Sequence, residues 1–167
     1  PVELCVDVIK RQLVEGRSAG VISEAGVPGV ADPGALVVET CHRRGIRVVP
    51  LVGPSSIVMA VMASGLNGQS FAFNGYLPVK PPERVQAIRR FERRAHAEGQ
   101  SQLFIEAPYR NVKLMEQLLQ TLAPETRLTV AMDITAPGEF IRTLRVREWR
   151  AAELPAMNKR PAIFIIG

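Results

Sequence analysis

The feature that most limits how this chain can fold is the stretch Ser23-Glu24-Ala25-Gly26-Val27-Pro28-Gly29-Val30-Ala31-Asp32-Pro33-Gly34. Its three glycines and two prolines exclude a regular helix or strand and leave backbone N–H groups open to a ligand. The apolar strand Gly20 to Ile22 runs into it, and a helix is expected where it ends, with Asp32 as its cap and Pro33 at its first position. A second turn of the same kind, Val52-Gly53-Pro54-Ser55-Ser56, follows the β-rich run Ile46 to Leu51. Strand-to-helix turns of successive units lie at one edge of a parallel sheet, where open α/β sheets bind small molecules.

The first half is expected to alternate helix and strand, as a doubly wound parallel sheet does. Val6 to Val14 has helical spacing and stops at Gly16. The helix after the first turn runs to about Arg44, where Gly45 ends it. A third, largely buried helix opens at Pro54-Ser55-Ser56, continues through Ala63 and closes at Gly65. Ser70 to Leu77 reads as a strand. Pro78, Pro81 and Pro82 then read as a linker, dividing the chain into lobes at 1–77 and 78–167. In the second lobe, Glu83 to Glu98 is a helix with Val85, Ile88, Phe91 and Ala95 inward and Arg89, Arg90, Arg93 and Arg94 outward. A strand at Gln102 to Glu106 precedes a helix marked by Val112, Met115, Leu119 and Leu122. Leu128 to Ile134 and Phe140 to Val146 form an antiparallel pair, and the apolar run Pro161 to Gly167 is a central strand. The second lobe is therefore a mixed sheet with flanking helices.

Several functions are excluded or unsupported. No apolar run approaches the roughly 18 residues that span a bilayer, so the expectation is a cytoplasmic chain without a membrane partner. Cys5 and Cys41 are too few and too isolated for a disulfide framework or a metal site, and Cys41 reads as a buried, inert thiol. His42 and His96 lie in helices beside arginines, without ligand-spaced partners, and read as surface residues. No Gly-x-Gly-x-x-Gly, phosphate loop or Gly-x-Ser-x-Gly elbow is present. The net charge of +5 is uneven: six basic and six acidic residues up to Tyr76, then fifteen and ten. A basic second half suits either a polyanion such as RNA or a solvated surface.

Glu106 ends a strand and is followed by Ala107-Pro108-Tyr109-Arg110, which places a carboxylate where a ligand would sit; the alternative is an ion pair with Arg110 that orders the turn. Asp133 and Glu139 flank the Pro137-Gly138 turn, with a turn-forming role or a place in the same cleft. In Asn158-Lys159-Arg160-Pro161 the two cations either hold an anionic substrate or neutralise helix ends.

Together these blocks resemble the tetrapyrrole-methylase superfamily, and specifically its branch acting on small-subunit ribosomal RNA. The stretch from Ser23 to Gly34 is similar to that family's S-D/E-A-G-x-P-x-I-S/A-D-P-G turn. The likeness continues through Gly45-Ile46-Arg47-Val48-Val49-Pro50, Gly53-Pro54-Ser55-Ser56, Ala63-Ser64-Gly65-Leu66 and Phe73-Asn74-Gly75-Tyr76-Leu77-Pro78. It reaches Phe104-Ile105-Glu106-Ala107-Pro108-Tyr109-Arg110, which resembles F-x-E-S-P-H-R. Nothing matches the family's opening strand and P-T-P-I-G-N turn, so the chain is expected to lack its true N-terminus. The family's E-L-T-K-x-x-E appears only as Asp133-Ile134-Thr135-Ala136-Pro137-Gly138-Glu139, without the lysine.

The resemblance implies a bilobal, homodimeric S-adenosylmethionine-dependent methyltransferase that binds its cofactor folded between the lobes and uses no metal. The implied cofactor contacts are Ala25, Gly26, Val27, Val30, Ser55 and Ser56 from the first lobe, and Ile105, Ala107, Met132, Pro161 and Ala162 from the second. The implied acceptor is ribosomal RNA, at a ribose hydroxyl, with Glu106 as candidate base. Arg110, Lys159 and Arg160 are candidate substrate contacts, and the Arg89–Arg94 cluster would hold phosphates. The alternatives are a tetrapyrrole-like small-molecule acceptor and a cofactor-binding protein without turnover.

Overall fold

The computed structural model describes Ile9 and residues 11–167. Cys5 and the first residues of the helix expected at Val6 to Val14 lie outside these. The chain forms two compact units, the first ending at Ser55 and the second running from Ser56 to Gly167.

In the first unit, residues 11–14 are helical and Gly16, at φ 75°, ends the segment. Helix α1 (Ala35–Arg43) starts later than the Asp32-Pro33 signal suggests. Its N-cap is Gly34, and no side chain caps it. The reason is local: Ala31 (φ 56°) and Gly34 (φ 147°) are left-handed, so the backbone turns helical only after Gly34. The C-terminus behaves as expected. Gly45 N–H donates to His42 O and Ile46 N–H to Cys41 O, the paired bonds of a Schellman stop. Cys41 is buried and unbridged.

Neither expected strand of this unit forms. Residues 18–23 and 46–55 carry no strand assignment, which corrects the parallel sheet expected of the first lobe. β-rich composition records a preference for a half-buried pleated surface, but a strand exists only when a neighbour takes up its N–H and C=O groups. Here Ile22 is 91% exposed and Leu51 85% exposed.

The second unit is built on a five-stranded mixed sheet. It contains α2 (Ser56–Ser64), β1 (Phe71–Tyr76), α3 (Pro81–Glu98), β2 (Ser101–Ile105), α4 (Asn111–Thr121), β3 (Arg127–Met132), β4 (Phe140–Arg145), α5 (Val146–Ala151) and β5 (Ala162–Ile166). The strand order is β1-β2-β5-β3-β4, so the apolar C-terminal strand is central, as expected. β1 and β2 are parallel; β5 is antiparallel to both neighbours, and β3 and β4 pair antiparallel from Arg127↔Arg145 to Met132↔Phe140. The Pro78–Pro82 stretch opens α3 within this unit, with prolines in its first turn and Gly99 (φ 61°) as its C-cap.

Side-chain alternation divides the core between the two faces of the sheet. Phe104, Leu128, Val130, Met132, Phe164 and Ile166 pack with Ile88, Phe91, Leu114, Leu118 and Trp149. Leu103, Ala131, Ile163 and Ile165 pack on the other face with Ile57, Ala60 and Val61 of α2. That helix buries one stripe only; Val58 and Met62 are exposed, so it is less buried than its composition suggests. In α4 the buried residues are Asn111, Leu114, Met115 and Leu118, a stripe rotated from the expected one because Val112 is exposed. Helix α5 has no sequence-level expectation; it exists to bury Trp149, whose indole N–H donates to Leu128 O at 2.8 Å.

Candidate functional site

Two constructions correspond to the expected site residues, one in each unit. In the first unit the organising turn is shaped by backbone. Gly26, Gly29, Ala31 and Gly34 are all at positive φ. At φ 147°, a Cβ on Gly34 would also lie 3.3 Å from Gly29 N, a tight approach that favours glycine at that crossing. The Ser23 hydroxyl donates to Ala25 O (2.7 Å) and accepts from Ala25 N–H (3.3 Å), which closes the first bend. The second turn approaches the first: a Cβ on Gly53 would sit 3.2 Å from Val27 Cγ1. The two glycine-rich turns therefore meet even though the strands before them do not pair. Ala25, Gly26 and Val30 are exposed, and Val27 and Ser55 half-buried. Ser56, the last expected contact of this group, begins α2 in the second unit.

In the second unit, the sheet topology brings the carboxyl ends of β2 and β3 beside the start of β5. Ile105 pairs with Ile163 and Met132 with Ala162. Ile105, Ala107, Met132, Pro161 and Ala162 thus share one sheet edge, together with Glu106, Arg110, Lys159 and Arg160. Side-chain exposure separates them. Ile105 and Ala107 are half-buried and Pro161 exposed, whereas Met132 is fully buried under α3–α5. Only the main chain of Met132 is able to meet a ligand.

Three loops at this edge are cross-linked. Lys159 N–H donates to Pro108 O (3.1 Å), and Asp133 N–H to Pro161 O (3.1 Å). Asn111 Nδ2 donates to Arg160 O at 2.6 Å. The Arg160 guanidinium donates to Asp133 Oδ2 (2.6 Å), Ala156 O (2.8 Å) and Gly138 O. Asp133 (φ 47°), Thr135 (φ 70°) and Lys159 (φ 60°) are all left-handed, so the bonds hold a bent backbone. Glu139 accepts from Thr135 N–H (2.7 Å) and serves the turn.

Glu106 is the anchor of the first loop. Its Oε1 accepts from Ala107 N–H (2.8 Å) and from Arg110 Nε (3.0 Å) and Nη2 (2.7 Å). Its Oε2 lies 3.5 Å from Arg84 Nη2, with side-chain exposures of 1% for Glu106 and 7% for Arg84. Arg84 also donates to Pro78 O (2.8 Å) and Val79 O (3.0 Å), tying the start of α3 to the same carboxylate. The hydrogen bonds it donates to Glu106 raise the pKa of the Arg110 guanidinium above its ordinary value. A base must reach the proton it removes. A buried carboxylate enclosed by two guanidiniums is better built to order the turn, the second of the two roles read from the sequence.

Arg84 has no role in the sequence reading, although a signal was present: it stands on the apolar stripe shared by Ile88, Phe91 and Ala95. A cation on a buried stripe requires a buried anion. His42 and His96 are exposed as expected, with His96 Nε2 3.2 Å from Thr126 Oγ1. No helix among the described residues is long and apolar enough to cross a membrane.

Comparison with known proteins agrees with this geometry. The chain is 31% identical over 160 residues to the ribosomal RNA small subunit methyltransferase I of Escherichia coli O157:H7, covering 96% of this chain and 54% of that protein. It is 36% identical over 155 residues to the protein of the same name from Xylella fastidiosa, covering 93% and 55%. The chain spans about half the length of the curated relatives it matches. In fold it resembles the methyltransferase CobJ (TM-score 0.63, 21% identity, 97% of this chain and 69% of that one). It also resembles a Thermus thermophilus uroporphyrin-III C-methyltransferase solved with S-adenosylhomocysteine (TM-score 0.52, 19% identity, 99% and 72%). Residues 3–149 match the family described as Tetrapyrrole (Corrin/Porphyrin) Methylases, and the chain belongs to that family.

Proposed function

We propose that this chain belongs to an S-adenosylmethionine-dependent methyltransferase acting on ribosomal RNA, at a ribose hydroxyl. The observation that carries the reading is the joining of the Glu106–Arg110, Asp133–Glu139 and Asn158–Pro161 loops at one sheet edge, in a chain of this family. Relatives named as ribosomal RNA methyltransferases support the choice of acceptor.

The residues fit such a cofactor chemically. The first unit offers small side chains and glycines with open space at the Cβ position of Gly26 and Gly29. That suits an adenosyl and amino-acid ligand without phosphate. The candidate contacts there are Ala25, Gly26, Val27, Val30 and Ser55. On the second unit they are Ser56, Ile105, Ala107, the main chain of Met132, Pro161 and Ala162. When bound, S-adenosylmethionine supplies an electrophilic methyl group. The protein's part is alignment and exclusion of water. Glu106, held by Arg84 and Arg110, fixes the course of the Ala107 main chain. Arg110 and Arg160 are committed to Glu106 and Asp133, so they shape the loops. Lys159 is exposed, has no ion pair among the described residues and is the substrate contact of the three. A homodimer in the cytoplasm belongs to the same reading, and sedimentation velocity tests the dimer.

Calorimetric titration with S-adenosylmethionine and S-adenosylhomocysteine is the first test. Micromolar binding of either is the expected result, followed by methyl transfer to small-subunit ribosomal RNA. Absence of binding to both removes the reading. Transfer to a tetrapyrrole but not to RNA replaces the acceptor.

A further inference from the structure

The outer face of α3 carries an open depression with a volume of about 510 Å³, lined by Pro78, Glu83, Gln86, Arg89, Arg90 and Arg93. It lies on the outer face of the helix whose buried face carries Arg84. Several basic groups of this unit are committed: Arg84 and Arg110 to Glu106, Arg94 to Glu98, Arg145 and Arg147 to Glu125, and Arg160 to Asp133. Arg89, Arg90 and Arg93 are exposed and have no carboxylate within 4 Å among the described residues. The acidic side chain in the depression, Glu83, lies 3.5 Å from Lys80 Nζ. Glu92, between the arginines in sequence, is turned to Ala123 N–H (2.7 Å) and Thr126 Oγ1 (2.5 Å).

Like charges at positions i and i+4 of a helix, as at Arg89 and Arg93, destabilise it. An arrangement that keeps them together and turns the Glu92 carboxylate away is one that a polyanion completes. Guanidiniums present a planar donor fork that matches phosphate oxygens. The Arg90 guanidinium carbon lies 5.0 Å from the Phe91 ring centroid. Gln86 adds an amide able to donate to a hydroxyl or a base edge.

We infer that the Gln86–Arg93 face of α3 is a binding surface for the phosphate backbone of single-stranded RNA. This rests on the RNA reading above and names where on the second unit the strand is held. It is a different surface from the loop edge of Glu106 and Arg160.

Fluorescence anisotropy with a labelled single-stranded RNA oligonucleotide of mixed sequence tests it, with salt varied between about 50 and about 200 mM. Combined Arg89→Ala, Arg90→Ala and Arg93→Ala should lower the slope of log affinity against log salt by about 2, since each cation contributes roughly 0.7 on a single strand. A control variant removes three exposed cations elsewhere, through Lys113→Ala, Arg127→Ala and Arg142→Ala. It should retain most of the slope. Equal loss in the two variants means that net charge alone attracts the RNA, and it overturns the proposal. An unchanged slope in the first variant overturns it as well. Calorimetry with S-adenosylhomocysteine on the same proteins should be unaffected by either set. Failure there in the unsubstituted protein strikes the methyltransferase reading, whereas failure of the anisotropy series alone strikes only the arginine face.

Discussion

The two constructions that carry the candidate contacts are held by different forces. The Ser23–Gly34 turn is a backbone object: positive φ angles, a close crossing at Gly34, and one hydroxyl bond from a half-buried Ser23. The Glu106 turn is an electrostatic object: a buried carboxylate fixed by two arginines, one of them from a different helix. A backbone turn fails when a Cβ is added. An electrostatic one fails when a charge is removed and its partner stays buried.

The largest effect should come from Glu106→Gln. It leaves the buried Arg84 guanidinium without its anion, and breaking a buried pair in this way costs about 3 kcal/mol or more. Urea denaturation of the second unit's transition measures it. A change within error would show that water already balances Arg84, and the contrast between the two turns would collapse. The double variant Glu106→Gln with Arg84→Met should recover much of the loss, because no uncompensated cation remains.

Gly34→Ala tests the other side. Strain at φ 147° together with the 3.3 Å approach to Gly29 N should cost about 1–3 kcal/mol, read as faster hydrogen exchange in residues 23–43. Exchange unchanged there would mean that the turn is not set by its backbone. Gly53→Ala is milder, since Val27 has to yield by only a few tenths of an ångström. Cofactor affinity should fall several-fold while the melting temperature stays nearly constant.

Asp133→Asn ranks below these. Its pair with Arg160 is partly exposed, and about 1 kcal/mol is the expected loss. A larger loss would make the Asp133–Arg160 pair as central as Glu106.

The smallest effect concerns pH. Because Glu106 raises the Arg110 guanidinium, the stability this adds is complete below the ordinary arginine value. It is lost only as pH rises through the raised one. A stability profile across the neutral range should therefore show no step from Arg110, and one that vanished in Arg110→Met would contradict this.

Much of the second unit was legible in the sequence because its signals are redundant. The apolar run before Gly167 is too long and too uniform for an edge, and it occupies the sheet centre. Pro137-Gly138 separates two β-rich runs, and they pair. In the first unit composition alone is a poor guide: Ile46 to Leu51 has β-forming residues but no ladder. The Asp32-Pro33 cap signal was overridden by the left-handed residues around it.

The sequence by itself determined the family, the turn chemistry, the helix stops at Gly16, Gly45 and Gly65, and the central place of the last strand. Each depends on neighbours within a few residues or on a pattern of hydrophobicity. Tertiary structure alone decided that Arg84 meets Glu106, that Arg160 spans Asp133 and Gly138, and that Met132 turns its side chain away from the loop edge. Those outcomes join residues 22 to 27 positions apart, or depend on which sheet face a strand presents. Local preference carries no information about either.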